Sequence, residues 1–334
     1  MNKRFRALLL AAVLLIAATA LTGCMASYEK VDLDAPSGWW EAIFVFPIAK
    51  ALVWLSAAIA GLGLPHGLGW AIIIITLIIK VITIPLTLKQ LQSTKAMQEL
   101  QPKLKELQDK YGKDRQKLSE EQMKLYREAG INPLGGCLPL LIQLPILFAL
   151  YQALYAVAST QLVPEAQRIF LWIPDLFYPT MTVGTSWISE SFSAGNWGKL
   201  FAYASLPVLM LVTQLALQKM SQPAKAKNGG KGQDPQTQMM NQMMFFMPIM
   251  FGYITLGLPA GLTLYWTVSN ILSMIQQYFV AGWGGLVDWI PALNRTQTAR
   301  KAEVVSVVTT QPEAATSSPA SAPEKPVKRN RRRR

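Results

Sequence analysis

Between Trp70 and Leu88, nineteen residues carry a single charge, Lys80. A run this long and apolar is what a helix needs to cross a hydrocarbon core of ~30 Å at about 1.5 Å per residue. Four more segments have the same character: Leu134 to Val157, Leu200 to Leu217, Met243 to Leu258 and Ala260 to Val280. Pro259 and Gly261 supply a tight turn between the last two. Trp39 to Leu64 is also apolar, but Glu41, Pro47 and Lys50 interrupt it. The chain has 334 residues, 51% hydrophobic and only 15% charged, against about a quarter charged in soluble domains. The expected class is an all-α integral membrane protein. One His and two widely separated Cys, at 24 and 137, exclude a His-built metal site and a disulfide framework. No cofactor is expected.

The first 23 residues read as a targeting segment. Lys3, Arg4 and Arg6 precede an apolar stretch from Ala7 to Leu21, and Leu21-Thr22-Gly23-Cys24 has the bacterial lipobox pattern. The expectation is cleavage before Cys24 and diacylglycerol on its thiol, a stable anchor because each buried CH₂ contributes about 0.8 kcal/mol. Residues 24–38 then form an extracytoplasmic linker. The competing reading is an uncleaved signal anchor with an incidental Cys.

Charge parity decides the topology. With Cys24 outside and 39–64 lying on the surface, the span 69–90 crosses inward and Lys89 to Glu128, with ten basic residues, is cytoplasmic. The same walk places inside the four basic residues of Lys219 to Lys231 and the ten after Asp288, leaving outside Lys30, Lys50, Arg168 and Lys199. Were 39–64 to span, every later assignment would invert, against the positive-inside bias. The segment is therefore expected to be an interfacial helix with Trp39 and Trp40 as headgroup-level anchors. Five spans follow: 69–90, 134–157, 199–218, 242–258 and 260–281. They are joined by a cytoplasmic hairpin at 91–131, an extracytoplasmic loop at 158–198 and a cytoplasmic loop at 219–241. Leu100, Leu104, Leu107 and Tyr111 give the hairpin's first helix one apolar stripe. Ser119 and Gln122 read as a capping box opening its second helix at Glu120. The tail, 288–334, is Pro, Ser, Ala and Thr rich, reads as disordered and ends in Lys328-Arg329-Asn330-Arg331-Arg332-Arg333-Arg334.

Lys80 lies ten residues after Trp70, about 15 Å deep, where a Lys costs roughly 2.5–3.5 kcal/mol. No Asp or Glu occurs in the five spans to neutralise it. Snorkelling or a deprotonated amine are the bland accounts; the central position favours a wet cavity within the bundle. Thr76, one turn earlier, Gln143, Gln214, Gln218, Ser269 and Asn270 are candidates to line it, each also explicable as an interhelical hydrogen bond. Trp266, Met243, Met244 and Met247 would give adaptable apolar contacts. Cys137 reads as a packing residue, and His66 as a loop residue without an evident partner.

These residues carry a resemblance. Gly69-Trp70-Ala71-Ile72-Ile73-Ile74-Ile75-Thr76 through Lys80, then Ile84-Pro85-Leu86-Thr87-Leu88-Lys89-Gln90, resembles the first conserved span of the YidC/Oxa family of membrane protein insertases. Asn132-Pro133-Leu134-Gly135-Gly136-Cys137-Leu138-Pro139-Leu140-Leu141-Ile142-Gln143-Leu144-Pro145 looks like its most diagnostic stretch. Leu206-Pro207, Gln218-Lys219-Met220, Pro259-Ala260-Gly261-Leu262, Leu264-Tyr265-Trp266 and Ser269-Asn270 match its later spans. The resemblance runs from about Trp39 to Trp283. It implies a hydrophilic groove open to cytoplasm and lipid but closed to the outside, with substrate contacts at Thr76 and Trp266. The groove cation, usually Arg, is here Lys80, which lacks the planar fork. The large extracytoplasmic domain of some members is absent, and the lipobox resembles the Gram-positive style.

The function implied is a non-enzymatic insertase and chaperone of the bacterial plasma membrane, working without nucleotide. Asn228-Gly229-Gly230-Lys231-Gly232 lacks P-loop spacing. The implied partners are nascent membrane proteins, the ribosome through the basic tail and cytoplasmic loops, the Sec translocon and membrane lipids. Anionic lipid competes with ribosomal RNA for the tail. The alternative function is an anion or small-solute transporter using Lys80, against which no inverted repeat is apparent. An intramembrane hydrolase is excluded by the missing Gly-x-Ser-x-Gly elbow, membrane His or carboxylate pair.

Overall fold

The computed structural model describes residues 33, 35–36, 38–112, 114–130, 138–180, 183–222, 246–290 and 292–293. The targeting segment, Cys24, Asn132 to Cys137, Met243, Met244 and nearly all of the basic tail lie outside them. The described residues up to Ile290 form one compact unit. Among the described residues it is helical, with one isolated bridge between Phe170 and Ile173 in place of any strand.

A π-helical turn, Glu41–Val45, leads into α1, Phe46–Gly61. Pro47 cannot donate to the carbonyl one turn back, and the turn before it widens so that Phe46 N–H reaches Glu41 O. Val45, Phe46, Ala49, Leu52, Ser56 and Ile59 form the buried face of this stretch, while Trp54 and Leu62 face outward. Among the described residues, length and composition put Glu41–Gly61 among three helices able to cross a membrane, with Gly67–Tyr111 and Trp197–Met220. Trp39 stays 58% exposed, whereas Trp40 is no free anchor: its indole donates to Gln152 Oε1 at 2.7 Å.

α2 runs unbroken from Gly67 to Tyr111, so the first expected span and the first arm of the hairpin are one helix. Pro85 and Pro102 lie inside it. Thr76, Thr83, Thr87 and Thr94 each donate to a carbonyl one turn back, which satisfies their hydroxyls without a partner helix. The hairpin's second arm, α3, is Arg115–Glu128 and not a helix opened by Ser119. Asp114 is the N-cap: its carboxylate accepts from Lys117 N–H at 3.1 Å, so the helix starts over a turn before Ser119. Leu104 and Leu118 are buried where the arms meet.

The later helices are α4, Leu138–Thr160; α5, the single turn Glu165–Arg168; α6, Ser186–Ser193; α7, Trp197–Met220; α8, Phe246–Thr255; and α9, Ala260–Ala281. A 3₁₀ turn, Gly284–Asp288, closes the unit. α9 packs against α7 and α2, α2 against α1, and α1 against α4, while α4 meets α9 and α2 only sparsely. Of the expected span 242–258, the described helix covers ten residues.

The loop 158–198 is a packed cap. Val163, Phe170, Ile173, Leu176 and Trp187 are buried in the common core. Gln167 Oε1 accepts the Gly67 N–H at 2.7 Å, and His66 Nδ1, expected to lack a partner, lies 2.8 Å from Ile169 O. At α9, Ala260 and Gly261 N–H donate to Tyr178 O and Leu176 O, filling orphan donors of a helix start. Gly69 abuts the Phe170 ring so closely that a Cβ there would overlap it. Asp175 accepts from Phe177 N–H at 2.9 Å, and burial nonetheless raises its carboxyl above the usual range, partly offset by that bond and by Arg168.

At the opposite end, the last carbonyls of α7 form a clasp. Met220 O accepts from Gln277 at 3.2 Å, Ser221 O from Gln98 at 2.7 Å, and Gln222 O from Gly285 N–H at 2.7 Å. Gly284, at φ +49°, lies against Met220 O where no side chain fits. From Lys80 to Gln98 a straight α2 rises about 27 Å, while α9 rises about 6 Å from Ser273 to Gln277. Yet Lys80 bonds Ser273, and Gln98 and Gln277 meet at Met220. The two helices are therefore out of step by about 21 Å over that interval, a difference that the long side chains of Lys80, Gln98 and Gln277 help to span.

Gly69→Ala is expected to cost roughly 1–3 kcal/mol through overpacking, read as a lower thermal midpoint in detergent, and Phe170→Leu in the same chain to recover part of it. For Asp175, a carboxyl raised in the folded state favours folding when protonated. Its penalty is full above the folded value and vanishes as pH falls below the ordinary carboxylate value. Asp175→Asn, which can keep the acceptor for Phe177, should raise the midpoint at pH 7 and leave it unchanged at pH 3.

Candidate functional site

Lys80 is the single charged residue between Gly67 and Leu88 of α2, and its ammonium has a defined seat. Nζ donates to Ser273 Oγ at 2.7 Å, and Ser273 in turn donates to Ser269 O at 2.9 Å. One turn earlier on α9, Tyr265 lies beside the Ser269 side chain and its hydroxyl accepts from Gln143 Nε2 at 2.8 Å. Tyr265, Ser269 and Ser273, spaced by four, form a polar stripe on one face of α9. Gln143 of α4 meets the stripe at one end and Lys80 of α2 at the other.

This arrangement unites three of the residues expected to line a cavity: Lys80, Gln143 and Ser269. Among the described residues no carboxylate pairs with the ammonium. Helices α2 and α4, which flank the stripe, barely touch each other. The face outside is lipid-like: Val81 and Ile82 are 63% and 70% exposed, with Leu77 and Ile78 beside them. The site thus offers an ammonium with N–H groups to spare, next to hydroxyls and an amide. Such a set binds and orients an anionic or polar group.

The other expected residues lie elsewhere. Thr76 is fully buried and its hydroxyl is used on Ile72 O at 2.7 Å. Asn270 faces α7, where its amide donates to Thr213 Oγ1 at 3.3 Å. Gln214 is half-buried on α7 with Oε1 enclosed and unpaired among the described residues, and Gln218 is half-buried one turn further on. Trp266 is buried edge-on against Phe251 of α8, ring centroids 5.2 Å apart. Met247 is on the exposed face of α8. Ser273 was not singled out by sequence reasoning; its position one turn after Ser269, on the same face, was the available signal.

A cavity of about 200 Å³ lies apart from this site, between α4 and the cap, lined by Tyr151, Leu154, Tyr155, Phe177 and Pro259.

If Asn270 is a helix-to-helix tie, a double-mutant cycle of Asn270→Ala and Thr213→Val should give a coupling of about 0.6 kcal/mol, the mean for such bonds in membrane bundles. Zero coupling in detergent unfolding would return Asn270 to the set of groove candidates.

Comparison with known proteins places the chain. The family described as 60Kd inner membrane protein matches residues 62–283. The Membrane protein insertase YidC of Oceanobacillus iheyensis is 34% identical over 290 residues, 84% of this chain and 97% of the relative. Membrane protein insertase YidC 2 of Bacillus anthracis is 36% identical over 273 residues, 80% and 91% of the two chains. Inner membrane protein PPF-1, chloroplastic, of Pisum sativum is 36% identical over 268 residues, 77% of this chain and 58% of the relative. The chain spans about half the length of the chloroplast relatives it matches. A solved structure of an active YidC insertase, with its first transmembrane domain resolved, aligns with a TM-score of 0.49 at 28% identity, over 73% of this chain and 47% of that one.

Proposed function

The chain belongs to the YidC/Oxa family of membrane protein insertases, and from that premise we propose that it moves nascent transmembrane segments into a bacterial plasma membrane. The observation that carries the mechanism is the seating of the Lys80 ammonium on a hydroxyl, with no carboxylate among the described residues to cancel it. The polar stripe of α9, between the sparsely touching α2 and α4, is the floor of a wet groove. A client's polar flank enters this groove, where Lys80 attracts its acidic residues and shortens the stretch of hydrocarbon to be crossed. The client's apolar segment partitions sideways into lipid, and burial of roughly 20 apolar residues drives the step. No nucleotide or covalent chemistry is required.

In this reading the cap over the starts of α2 and α9 faces outside and closes that end, with His66, Gln167 and Leu176 among its ties. The hairpin and the clasp face the cytoplasm. Five spans cross the bilayer: the upper part of α2, α4, α7, the segment containing α8, and α9. α1 is long enough to cross, but charge parity assigns it to the outer surface, since a crossing α1 would put the basic stretches outside. Cys24 carries the lipid anchor, Thr76 and Trp266 stand at the groove margin, and Gln214 and Gln218 line its α7 side. Clients reach the hairpin from the ribosome, which the basic tail and cytoplasmic loops engage, with the Sec translocon and anionic lipids as further partners.

The test is insertion of a small two-span client into liposomes holding the purified protein, scored by protease protection. An ammonium–carboxylate attraction in a wet site at about 6 Å amounts to about 1–2 kcal/mol, so Lys80→Ala should slow insertion roughly five- to thirty-fold, and Lys80→Arg should retain it. Equal rates for Lys80→Ala and wild type would remove the charge from the mechanism. Anion flux through client-free liposomes, without insertion, would support the transporter reading in its place.

A further inference from the structure

We infer that Ser273 is the positioning residue for Lys80, holding the ammonium over the face of α9 without spending its charge. The inference rests on the groove reading and adds to it a residue that carries no charge and was not evident in the sequence.

A serine hydroxyl has one proton and two lone pairs. In Ser273 the proton is committed to Ser269 O, four residues back, at 2.9 Å. That bond turns a lone pair outward, and Lys80 Nζ occupies it at 2.7 Å. The order of donation, ammonium to hydroxyl to carbonyl, lets each bond polarise the next. Among the described residues the ammonium spends one of its three N–H groups, on this seat, and two remain for a client's carboxylate. A carboxylate in place of Ser273 would hold the lysine more tightly but neutralise it. An apolar residue would leave a flexible four-carbon stem beside the exposed Leu77, Ile78, Val81 and Ile82, free to carry its head toward the nearer membrane surface. The hydroxyl does neither.

Two clients test this: a two-span polypeptide with Asp residues in its outer flank, and its counterpart with Asn there. The readout is the ratio of their initial insertion rates in liposomes containing the full chain. Lys80→Ala, Ser273→Ala and Ser273→Thr are compared with wild type, and thermal midpoints are recorded for each. Ser273→Ala is expected to lower the Asp-to-Asn ratio about tenfold, the scale of one hydrogen bond to a charged group. The ratio should then approach that of Lys80→Ala, with the midpoint close to wild type. Ser273→Thr, which keeps the hydroxyl, should restore the ratio, and adding Ser273→Ala to Lys80→Ala should lower it no further. A ratio that falls in Lys80→Ala but stays at the wild-type value in Ser273→Ala would overturn the positioning role. Equal slowing of both clients, tracking a lowered midpoint, would overturn it too by making Ser273 a packing residue. If Lys80→Ala itself leaves the ratio unchanged, the groove reading fails first and the role of Ser273 falls with it.

Discussion

Hydrocarbon offers no partner to a polar group, so each polar side chain within the apolar helices has to be satisfied by another helix or by its own backbone. In this protein that constraint selects the neighbours. Trp40 finds Gln152, Gln143 finds Tyr265, Asn270 finds Thr213, and Lys80 finds Ser273. Three of those four ties end on α9. The threonines of α2, by contrast, turn inward on their own carbonyls. α9 is thus the element on which α2 and α7 pack and which α4 reaches through Gln143, and its register decides which of them meet the stripe of Tyr265, Ser269 and Ser273.

The two ends of the bundle solve a related problem in opposite ways. Helix starts leave N–H groups without acceptors and helix ends leave carbonyls without donors. At the cap, backbone carbonyls of an irregular loop receive the first N–H groups of α9, and a glutamine side chain receives that of α2. At the clasp, glutamine side chains from α2 and α9 supply the donors that the last turn of α7 lacks. The loop end is held by packing, with Phe170, Ile173, Leu176 and Trp187 in the core. The clasp depends instead on side-chain amides and on one glycine whose backbone no other residue could replace without displacing Met220.

Much of this was legible from composition and spacing. The helix Ala260–Ala281 has the bounds its apolar run and its Pro259 start require, and Trp197–Met220 overshoots its expected span by two residues at each end. Lys80 stood out because a charge at that depth needs an explanation. Other features were hidden for physical reasons. The continuity of α2 was obscured because two prolines and a change from apolar to charged composition look like boundaries, whereas the Lys, Gln, Leu, Met and Glu residues beyond Leu88 are good helix formers and carry the helix on. Asp114 and Ser119 are both competent caps; the first to present a carboxylate to free N–H groups determined the start of α3. The partners of Lys80 and Trp40 are 193 and 112 residues away, so no local pattern could name them. Thr76 shares the face of Lys80 in sequence, yet its hydroxyl is already spent within α2.

The contact between Gly69 and Phe170 has a consequence for depth. Gly69 fixes one face of α2 against the cap, since the Phe170 ring leaves room there for nothing beyond a hydrogen atom. Lys80 follows it by eleven residues, which is three turns of helix within about 20° and about 16 Å of rise. Contact and charge therefore lie on one line down the helix, and the backbone between them sets their spacing. One residue more or fewer in that interval would swing the ammonium by about 100°, off the hydroxyl of Ser273 and into lipid. The position of the positive charge along α2 is consequently set by counting, not by the chemistry of the lysine, and it changes only in whole residues.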